Sequence, residues 1–330
     1  MLEHYTNTGG QEIQSFLDQL IASTDLVEVR DLLETWEMRG PTEDELFELT
    51  RLMRSRMKRI DSGARVVTDI VGTGGSRNKT FNVSTAAAFV LAGSGLKVAK
   101  HGNRAATSTT GSADVLNSLG IQADADPQIV QKCLDEAGIC FMFAPRFHKL
   151  SPTLAAARRG LGKPTIFNNL GPLCNPASAG HQLIGVWTEK WLDRTANVLA
   201  RLGTTRSWVV NGENGLDEIA LCGKTDVVEV AGAEIRRFKL SVADFGIKKD
   251  VFEVPQAESS SESADIINRV LKNDLKGEGA EAIVLVNAAA AIYISNAARD
   301  LSEAYMIAET SLREGKAYEK LVLIRQLTNE

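Results

Sequence analysis

The sequence predicts an α/β fold: a mostly parallel sheet flanked by helices, with a smaller all-helical domain beside it. From residue 65 onward, short apolar runs typical of strands alternate with helical patterns, which is the order found in parallel sheets covered on both faces. The first 60 residues and the stretch 151–179 show no strand pattern and stand outside that alternation. We expect a small helical domain from residues 1–64 and 149–178, and an α/β domain from residues 65–148 and 179–330.

The N-terminal block carries helical patterns only. Three helices are predicted here. The first has a regular apolar face, and the second has a less regular one that ends near Trp36. A third helix is predicted after Thr42, because Thr42 can cap it and Glu45 completes a capping box. We interpret this block as a lid, a wall of the site or a dimer surface. The i, i+3, i+4 spacing of the first helix is formed by Ile13, Phe16, Leu17, Leu20 and Ile21.

The remaining elements follow from apolar runs and their periods. Strands are predicted at 66–71, 96–99, 140–144, 183–188 and 207–210, with a further pair within 227–238. Helices are predicted at 84–92, 112–119, 128–137, 152–161, 190–202, 280–295, 302–314 and 317–327. The Ser-rich stretch 258–263 predicts an exposed linker that opens a helix. The segment 151–179 is expected to leave the sheet and return onto the N-terminal helices.

Composition restricts the function classes. The 330 residues carry a net charge of −5, so no general basic field exists for nucleic acid, and phosphate binding must be local. The polar first residues predict no signal peptide, and no apolar run reaches the roughly 20 residues that span a bilayer. The four cysteines lack C-x-x-C spacing and are expected to be buried thiols of a reducing compartment. We predict a cytoplasmic protein with no nucleic-acid or membrane partner.

A glycine-rich loop follows the first predicted strand. Gly72-Thr73-Gly74-Gly75 places backbone N–H groups where an anion can approach closely. Arg77 occupies the position of the third glycine of the dinucleotide fingerprint, and no Gly-Lys-Ser/Thr follows. Neither a Rossmann nor a Walker A loop is therefore indicated, and taken alone this loop is equally consistent with a tight turn.

The next helix begins at Asn82-Val83-Ser84-Thr85. Ser84 can serve as a plain N-cap. The helix N-terminus, its free N–H groups and three hydroxyl or amide side chains can also converge on a phosphate, a reading that the neighbouring glycine loop favours.

A basic loop, Lys100-His101-Gly102-Asn103-Arg104, follows the second predicted strand. Three basic residues and a glycine at the end of a strand indicate an anion site, because packing does not explain them. A run of hydroxyls then precedes the next helix. We predict a cradle for a second anionic group such as a pyrophosphate; the alternative is an ordinary solvated loop. The hydroxyls belong to Thr107, Ser108, Thr109, Thr110 and Ser112.

Two further features are ambiguous from the residues alone. Adjacent Asp217 and Glu218 can hold Mg²⁺, which takes one or two carboxylates together with phosphate oxygens, but an acidic surface turn has the same composition. Arg158 or Arg159 can bind a substrate carboxylate. Since neighbours on a helix point about 100° apart, at most one of the two arginines faces a given cleft. The alternative is a surface arginine.

The ordered motifs GTGG, TFNVST, KHGNR, GSAD, FAPRFH, ARRGLG, TIFNNLGPLCNPA and GLDEI resemble those of the anthranilate phosphoribosyltransferase family. They run with consistent spacing across most of the chain. The resemblance implies an α/β domain joined to a helical one, in the nucleoside phosphorylase and phosphoribosyltransferase fold class, and a homodimer. It implies a Mg²⁺-dependent transfer of the phosphoribosyl group from phosphoribosyl pyrophosphate (PRPP) to the amine of anthranilate. The products are N-(5-phosphoribosyl)anthranilate and pyrophosphate, in the second step of tryptophan biosynthesis.

The resemblance also implies site residues, position by position. Those expected to contact anthranilate are Gly72, Asn103 and Arg158. Those expected to bind magnesium are Ser84, Asp217 and Glu218. No residue is implied as a general acid or base; positioning and charge stabilisation are expected from Lys100, Asn103, Arg104 and Arg158. Those expected around PRPP are Gly72, Gly75, Ser76, Thr80, Asn82, Val83, Ser84, Thr85, Lys100, His101, Gly102, Asn103, Arg104, Ala105, Ala106, Thr107, Ser108 and Ser112.

The reaction needs charge stabilisation more than proton transfer. Breaking the bond between ribose C1 and pyrophosphate builds positive character on the sugar and negative charge on the leaving group. The amine of anthranilate is already neutral and needs only placement, so His101 and His148 are expected to position groups or to line the pocket. The chain departs from the family pattern at Ser76-Arg77, where Asp-Gly is common, and at Asn169, where leucine is usual.

Three alternatives stay open. A paralogue can use another aromatic acceptor. An enzyme resembling the nucleoside phosphorylases would transfer pentose to inorganic phosphate, but it needs no Arg158 or Asn103. A nucleic-acid-binding paralogue would need a wide basic groove, which the net charge of −5 disfavours.

Overall fold

The computed structural model describes residues 10–74, 80–104, 110–248 and 253–330. The strands are β1 (Thr68–Gly72), β2 (Val98–Gly102), β3 (Ile139–Phe143), β4 (His181–Gly185), β5 (Arg206–Asn211), β6 (Thr225–Ala231) and β7 (Glu234–Leu240). They form one sheet in the order β3-β2-β1-β4-β5-β6-β7. β1 to β5 are parallel, while β6 and β7 add an antiparallel edge. The predicted mostly parallel sheet flanked by helices is confirmed.

Helices pack against both faces of this sheet. Those before the sheet are α1 (Gly10–Ala22), α2 (Leu26–Arg39) and α3 (Glu43–Arg56). Those within the alternating part are α4 (Val83–Gly93), α5 (Ser112–Ser118), α6 (Pro127–Glu136), α7 (Ala144–Phe147), α8 (Pro152–Leu161), α9 (Ile166–Leu173) and α10 (Leu192–Arg201). The C-terminal part contains α11 (Ser260–Leu271), α12 (Gly279–Ile294), α13 (Leu301–Arg313) and α14 (Lys316–Thr328).

The two faces of the sheet belong to different cores, because successive side chains of a strand point to opposite sides. Ile70 and Leu183 pack into the core formed with α4 and α11 to α14. Their neighbours Val71 and Ile184 pack into the core formed with α10, α1 to α3, α8 and α9. The N-terminal helices and the 152–173 excursion thus share one apolar cluster with a face of the sheet. The division into two domains at the boundaries given above stays a prediction.

The third N-terminal helix begins as its sequence predicts. Thr42 Oγ1 accepts the N–H of Glu45 at 3.2 Å, and Glu45 Oε2 accepts the N–H of Thr42 at 2.7 Å. The same carboxylate oxygen accepts the indole N–H of Trp36 at 3.1 Å. The capping box therefore also joins α2 to α3.

Helix α9 was not predicted, because Gly171 and Pro172 near its end signal a loop. The helix forms through tertiary contacts from its first turn. The carboxylate of Glu37 accepts the N–H of Ile166, and the side chain of Asn168 donates to Thr73 O at 3.3 Å. The segment 151–179 was predicted to contain one helix; it contains two.

The stretch 258–263 opens helix α11 as predicted, and Ser259 Oγ caps this helix by accepting the N–H of Glu262 at 3.1 Å. Two other local predictions need correction. Asn82, not Ser84, stands at the N-cap of α4, and Ser84 lies in the first turn. Cys133, Cys140 and Cys174 are buried free thiols as predicted, but Cys222 is exposed.

Candidate active site

The strand order places a crevice at the carboxyl ends of β1 and β4. From β1 the chain moves outward through β2 and β3, and then returns to the other side of β1 to form β4. In open parallel sheets this change of direction leaves a crevice in which ligands bind. Gly72 and Gly185, the last residues of β1 and β4, lie opposite each other in the parallel ladder.

The loop carrying Asp217 and Glu218 closes down on these two glycines. A Cβ atom at Gly185 would lie 1.7 Å from the backbone oxygen of Asp217, and one at Gly72 would lie 2.7 Å from Asp217 Oδ2. The same Oδ2 atom accepts the N–H of Gly74 at 3.0 Å. Only glycine permits so close an approach. The acidic pair predicted from its composition thus lies directly on the glycine loop, although 143 residues separate Gly74 from Asp217.

The two carboxylates share a site that disfavours their charge. Burial raises the pKa of Asp217, with the hydrogen bond from Gly74 acting in the opposite direction. Burial and the neighbouring charge of Asp217 raise the pKa of Glu218 well above its ordinary value. Thr80 Oγ1 donates to Glu218 Oε2 at 3.3 Å, which offsets part of that effect. A cation bound here would relieve this repulsion.

Lys100 reaches the same crevice from β2. Its side chain is only 2% exposed, and its Nζ atom donates to Ile70 O at 2.6 Å and to Ser84 Oγ at 3.1 Å. Burial lowers the pKa of Lys100 to about 8, while Asp69 and Glu218 act to raise it. The lysine therefore joins the end of β1 to the first turn of α4.

The polar side chains at the start of α4 have different surroundings. Asn82 Oδ1 accepts hydrogen bonds from Thr110 Oγ1 at 3.1 Å and from Ser263 Oγ at 3.0 Å, so the amide group is held from two sides. Ser84 contacts Lys100 as described above. Thr85 and Val83 are fully buried, and Thr85 Oγ1 has no hydrogen-bond partner among the described residues. The backbone N–H of Val83 donates to Phe81 O at 2.7 Å, and that of Thr85 donates to Asn82 O at 3.1 Å.

The basic loop is described up to Arg104 and again from Thr110. Ser112 Oγ donates to Asn103 O at 3.2 Å, and a Cβ atom at Gly102 would lie 2.2 Å from that hydroxyl. The guanidinium of Arg104 lies over the ring of Phe143 at 5.7 Å. The predicted positions that lie outside the described residues are Gly75, Ser76, Ala105, Ala106, Thr107 and Ser108.

Arg158, on α8, lies against α9 at the same end of the sheet. The Arg158 guanidinium lies 5.1 Å from the ring centre of Phe167, and the next residue, Asn168, donates to Thr73 O beside Gly72. The Nε atom of Arg158 is buried without a hydrogen-bond partner, and this side chain forms no ion pair with any residue that the structure describes. Burial lowers its pKa to about 10, which leaves it protonated near neutral pH. Arg159 is exposed, so only one of the two arginines faces inward.

Comparison with known proteins decides the family. Residues 64–318 match the family model described as "Glycosyl transferase family, a/b domain". The anthranilate phosphoribosyltransferase of Anaeromyxobacter sp. (strain K) is 44% identical over 290 residues, which cover 88% of this chain and 85% of that protein. The enzyme of Geobacillus sp. (strain WCH70) is 37% identical over 324 residues, which cover 98% of this chain and 95% of that protein. The chain belongs to the anthranilate phosphoribosyltransferase family.

Solved structures of this family share the architecture along almost the whole chain. The anthranilate phosphoribosyltransferase of Thermus thermophilus has a TM-score of 0.88 and 35% identity, covering 98% of this chain and 96% of that one. The Saccharomyces cerevisiae enzyme, in complex with PRPP and Mg, has a TM-score of 0.85 and 26% identity, covering 97% and 93% of the two chains. The family resemblance drawn from the motifs is thereby confirmed.

His101 of the basic loop forms a buried pair with His148. His101 Nδ1 lies 2.8 Å from Gly171 O and must donate to it, so His101 Nε2 is left to accept from His148 Nε2 at 3.2 Å. Burial lowers the pKa of His101 to about 3, with smaller contributions in the same direction from His148 and Lys100, while the hydrogen bond to Gly171 O acts to raise it. Burial lowers the pKa of His148 to about 4. Both rings are thus neutral, and they connect β2 to α9 and to the segment after α7.

Stability is expected to fall below pH 6.5 because of this pair. The unfolded chain binds protons below an ordinary pKa of about 6.5, whereas the folded pair binds them only at much lower pH. The contribution is therefore complete above pH 6.5 and is lost as pH falls, by about 2 kcal/mol per histidine at pH 5. Urea unfolding of the His148→Gln variant, compared with the wild type at pH 7 and pH 5, should show a decline smaller by about that amount. Equal declines in the two proteins would contradict this account.

Asn169 departs from the usual family leucine, and its side-chain amide is buried and unpaired in the described part of the chain. The side chain is 1% exposed, and neither its amide oxygen nor its nitrogen has a hydrogen-bond partner among the described residues. An unpaired amide in such a place is unfavourable, whereas a leucine would pack without that penalty. The second departure, Ser76-Arg77, lies outside the described residues.

Asp69 is a site-supporting residue that the sequence reasoning missed. It is fully buried in the middle of β1, where Oδ2 accepts from Asn175 Nδ2 at 2.8 Å and Oδ1 accepts the N–H of His101 at 3.3 Å. Burial raises the pKa of Asp69, and the nearby Lys100 acts to lower it. The available signal was a carboxylate inside an otherwise apolar strand run, which is rare unless the charge is paired.

No helix in the described part of the chain has the combination of length and hydropathy that crossing a membrane requires.

Proposed function

We propose that the chain transfers the phosphoribosyl group of PRPP to the amine of anthranilate, which releases pyrophosphate in the second step of tryptophan biosynthesis. The observation that carries this proposal is the pairing of two unlike anion sites at one crevice. On one side a glycine loop, a helix N-terminus and Lys100 stand beside two carboxylates. On the other side Arg158 lies inward without an anionic partner among the described residues, which suits the carboxylate of an aromatic acid.

The donor side suits a sugar phosphate ester with a diphosphate. Lys100 joins the first turn of α4, through Ser84, to the end of β1, and helix N-termini favour phosphate. The N–H of Gly74 donates to Asp217 Oδ2 and holds the acidic loop beside this helix start. The Nζ atom of Lys100 lies between the end of β1 and the first turn of α4, so its charge is placed close to an anion bound between them. Asn103 and Arg104, at the end of β2, are the proposed contacts to the departing diphosphate and the acceptor.

Magnesium fits the donor set at this crevice. Asp217, Glu218 and Ser84 offer carboxylate and hydroxyl oxygens, the ligands that Mg²⁺ prefers, and the repulsion between the two acids favours a cation. No group of three or more His, Cys, Asp and Glu side chains is placed for a metal within the described ranges, so substrate oxygens would complete the shell. When bound, the ion supplies positive charge to the departing pyrophosphate.

The residues of the chain act mainly by positioning and by charge. Lys100 and Arg104 stabilise the negative charge that develops on pyrophosphate as the C1–O bond breaks. Arg158 holds the anthranilate carboxylate so that the neutral amine faces C1, where the new C–N bond forms. The amine proton then passes to pyrophosphate or to water. No side chain needs to act as a general base, which agrees with the neutral, mutually hydrogen-bonded state of His101 and His148.

The direct test is a fluorescence assay. Combining the protein, PRPP, Mg²⁺ and anthranilate should cause the fluorescence of anthranilate to fall, because its amine is converted to a glycosylamine. Omitting PRPP, or adding a chelator of Mg²⁺, should abolish the change. Stable fluorescence in the complete mixture, together with phosphorolysis of nucleosides, would overturn the proposal.

We further propose a homodimer in the cytoplasm. Helix α2 exposes apolar side chains at both ends, with Val27 68% and Met38 85% exposed, and an interface with a second copy of the chain would cover them. Buried free thiols at Cys133, Cys140 and Cys174 suit a reducing compartment. No nucleic-acid or membrane partner is proposed.

A further inference from the structure

A buried asparagine side chain on helix α12 is hydrogen-bonded to the loop that carries Asp217 and Glu218. Asn287 lies on α12 and is 2% exposed. Its Oδ1 atom accepts the N–H of Ile219 at 3.0 Å, and its Nδ2 atom donates to Ile219 O at 3.3 Å and to Ile283 O at 2.9 Å. One side chain thus satisfies both backbone polar groups of the residue that follows Glu218.

The environment of Asn287 indicates that this contact is specific. Helix α12 is buried along nearly its whole length, and most of the residues around Asn287 are Ala, Val, Ile and Leu. An asparagine is costly in such a helix unless its amide is fully hydrogen-bonded. Here both ends of the amide are used, and two of the three bonds go to a single residue of the loop. Packing alone does not require a polar group at this position.

We infer that Asn287 is a positioning residue that holds Asp217 and Glu218 in the orientation that binds Mg²⁺ and the diphosphate. Ile219 directly follows Glu218, so the two hydrogen bonds between Asn287 and the Ile219 backbone fix the chain next to the acidic pair. The amide of Asn287 anchors the loop on one side of the acids, and the tight approach to Gly185 confines it on the other. The site is thereby assembled before the ligand arrives, which reduces the cost of binding.

This inference rests on the proposed function only for its kinetic readout. Loss of the anchor should raise the Mg²⁺ concentration needed for half-maximal rate by roughly tenfold, which corresponds to about 1.4 kcal/mol. The KM for PRPP should rise with it. The KM for anthranilate should change little, because Arg158 lies on a different helix.

The chain offers a matched control at the end of the same helix. Ser295 is 4% exposed, and its Oγ atom forms a 2.7 Å hydrogen bond with Thr68 Oγ1 at the amino end of β1, away from the crevice. Ser295→Ala removes a buried hydrogen bond between α12 and the sheet without touching the acidic loop. It separates a loss of stability from a loss of positioning.

The experiment compares the wild type with Asn287→Leu, Asn287→Ser and Ser295→Ala. Calorimetric titration of PRPP in the presence of Mg²⁺ measures binding without turnover, and the rate against Mg²⁺ concentration is measured in parallel. The inference predicts weaker PRPP binding and a roughly tenfold shift in Mg²⁺ dependence in both Asn287 variants. It also predicts wild-type values of both quantities for Ser295→Ala, even if its melting temperature is lowered by a similar amount.

Two outcomes would overturn it. Wild-type Mg²⁺ dependence and PRPP binding in a folded Asn287 variant would show that the amide serves stability alone. Equal shifts in Ser295→Ala would show that any loosening of α12 has the same effect. If the wild type failed to convert anthranilate, the proposed function would be wrong, but the calorimetric comparison would still decide the role of Asn287. Asn287→Ser, as the smaller change, serves if the leucine variant does not fold.

Discussion

Gly185→Ala is expected to lower kcat/KM for phosphoribosyl transfer by roughly 100-fold. The added Cβ would lie 1.7 Å from Asp217 O and 2.4 Å from its carbonyl carbon, and these are backbone atoms that cannot rotate away. Since β4 is hydrogen-bonded to β1 on one side and to β5 on the other, the strand cannot yield. The acidic loop must move instead, and a shift of about 1 Å in a positioned group costs about that factor.

The control for this variant is Gly180→Ala, just before the same strand. A Cβ atom there would meet Thr205 Oγ1 at 2.8 Å, the end of a side chain that can change rotamer. We expect nearly wild-type kinetics for it. Both variants are measured by the fluorescence assay and by thermal unfolding. Wild-type kcat/KM in a folded Gly185→Ala protein would contradict the proposed position of the acidic loop.

The loops of the site could be predicted because a parallel sheet brings the carboxyl ends of its strands to one edge. Gly72 and Lys100 each follow an apolar strand run, so their meeting at the crevice follows from the alternation alone. The acidic pair was ambiguous for a physical reason. Nothing in the composition of 211–221 distinguishes a surface turn from a loop pressed against Gly185, and only the close approach in the fold separates the two.

The supporting contacts could not be predicted, because their partners are far apart in the chain. Asn287 stands out as a polar residue in an apolar helix, but its partner Ile219 lies 68 residues earlier. Asn175 and Asp69 are separated by 106 residues, and a carboxylate in a strand run does not reveal which amide holds it. Helix α9 forms against its own Pro and Gly signals, since contacts from Glu37 and to Thr73 outweigh local propensity.

Arg158→Ala is expected to raise the KM for anthranilate by roughly 100-fold while changing the KM for PRPP little. The guanidinium is protonated, lies over Phe167 and lacks an anionic partner among the described residues. A bound carboxylate would therefore be its counter-ion. Charge-assisted hydrogen bonds of this kind contribute about 1.5–3 kcal/mol each, which is the size of the expected loss.

Arg159→Ala is the matched control for this second variant, because Arg159 is the exposed neighbour on the same helix and should be dispensable. Initial rates are measured with each substrate varied in turn. A selective loss of anthranilate affinity in Arg158→Ala alone would place the acceptor carboxylate beside α8, across the crevice from the acidic loop. An equal rise in the KM of both substrates would instead mean that Arg158 supports α9, whose contacts with Thr73 and His101 reach the donor side. The two results therefore distinguish an acceptor contact from a structural contact between the helices and the sheet.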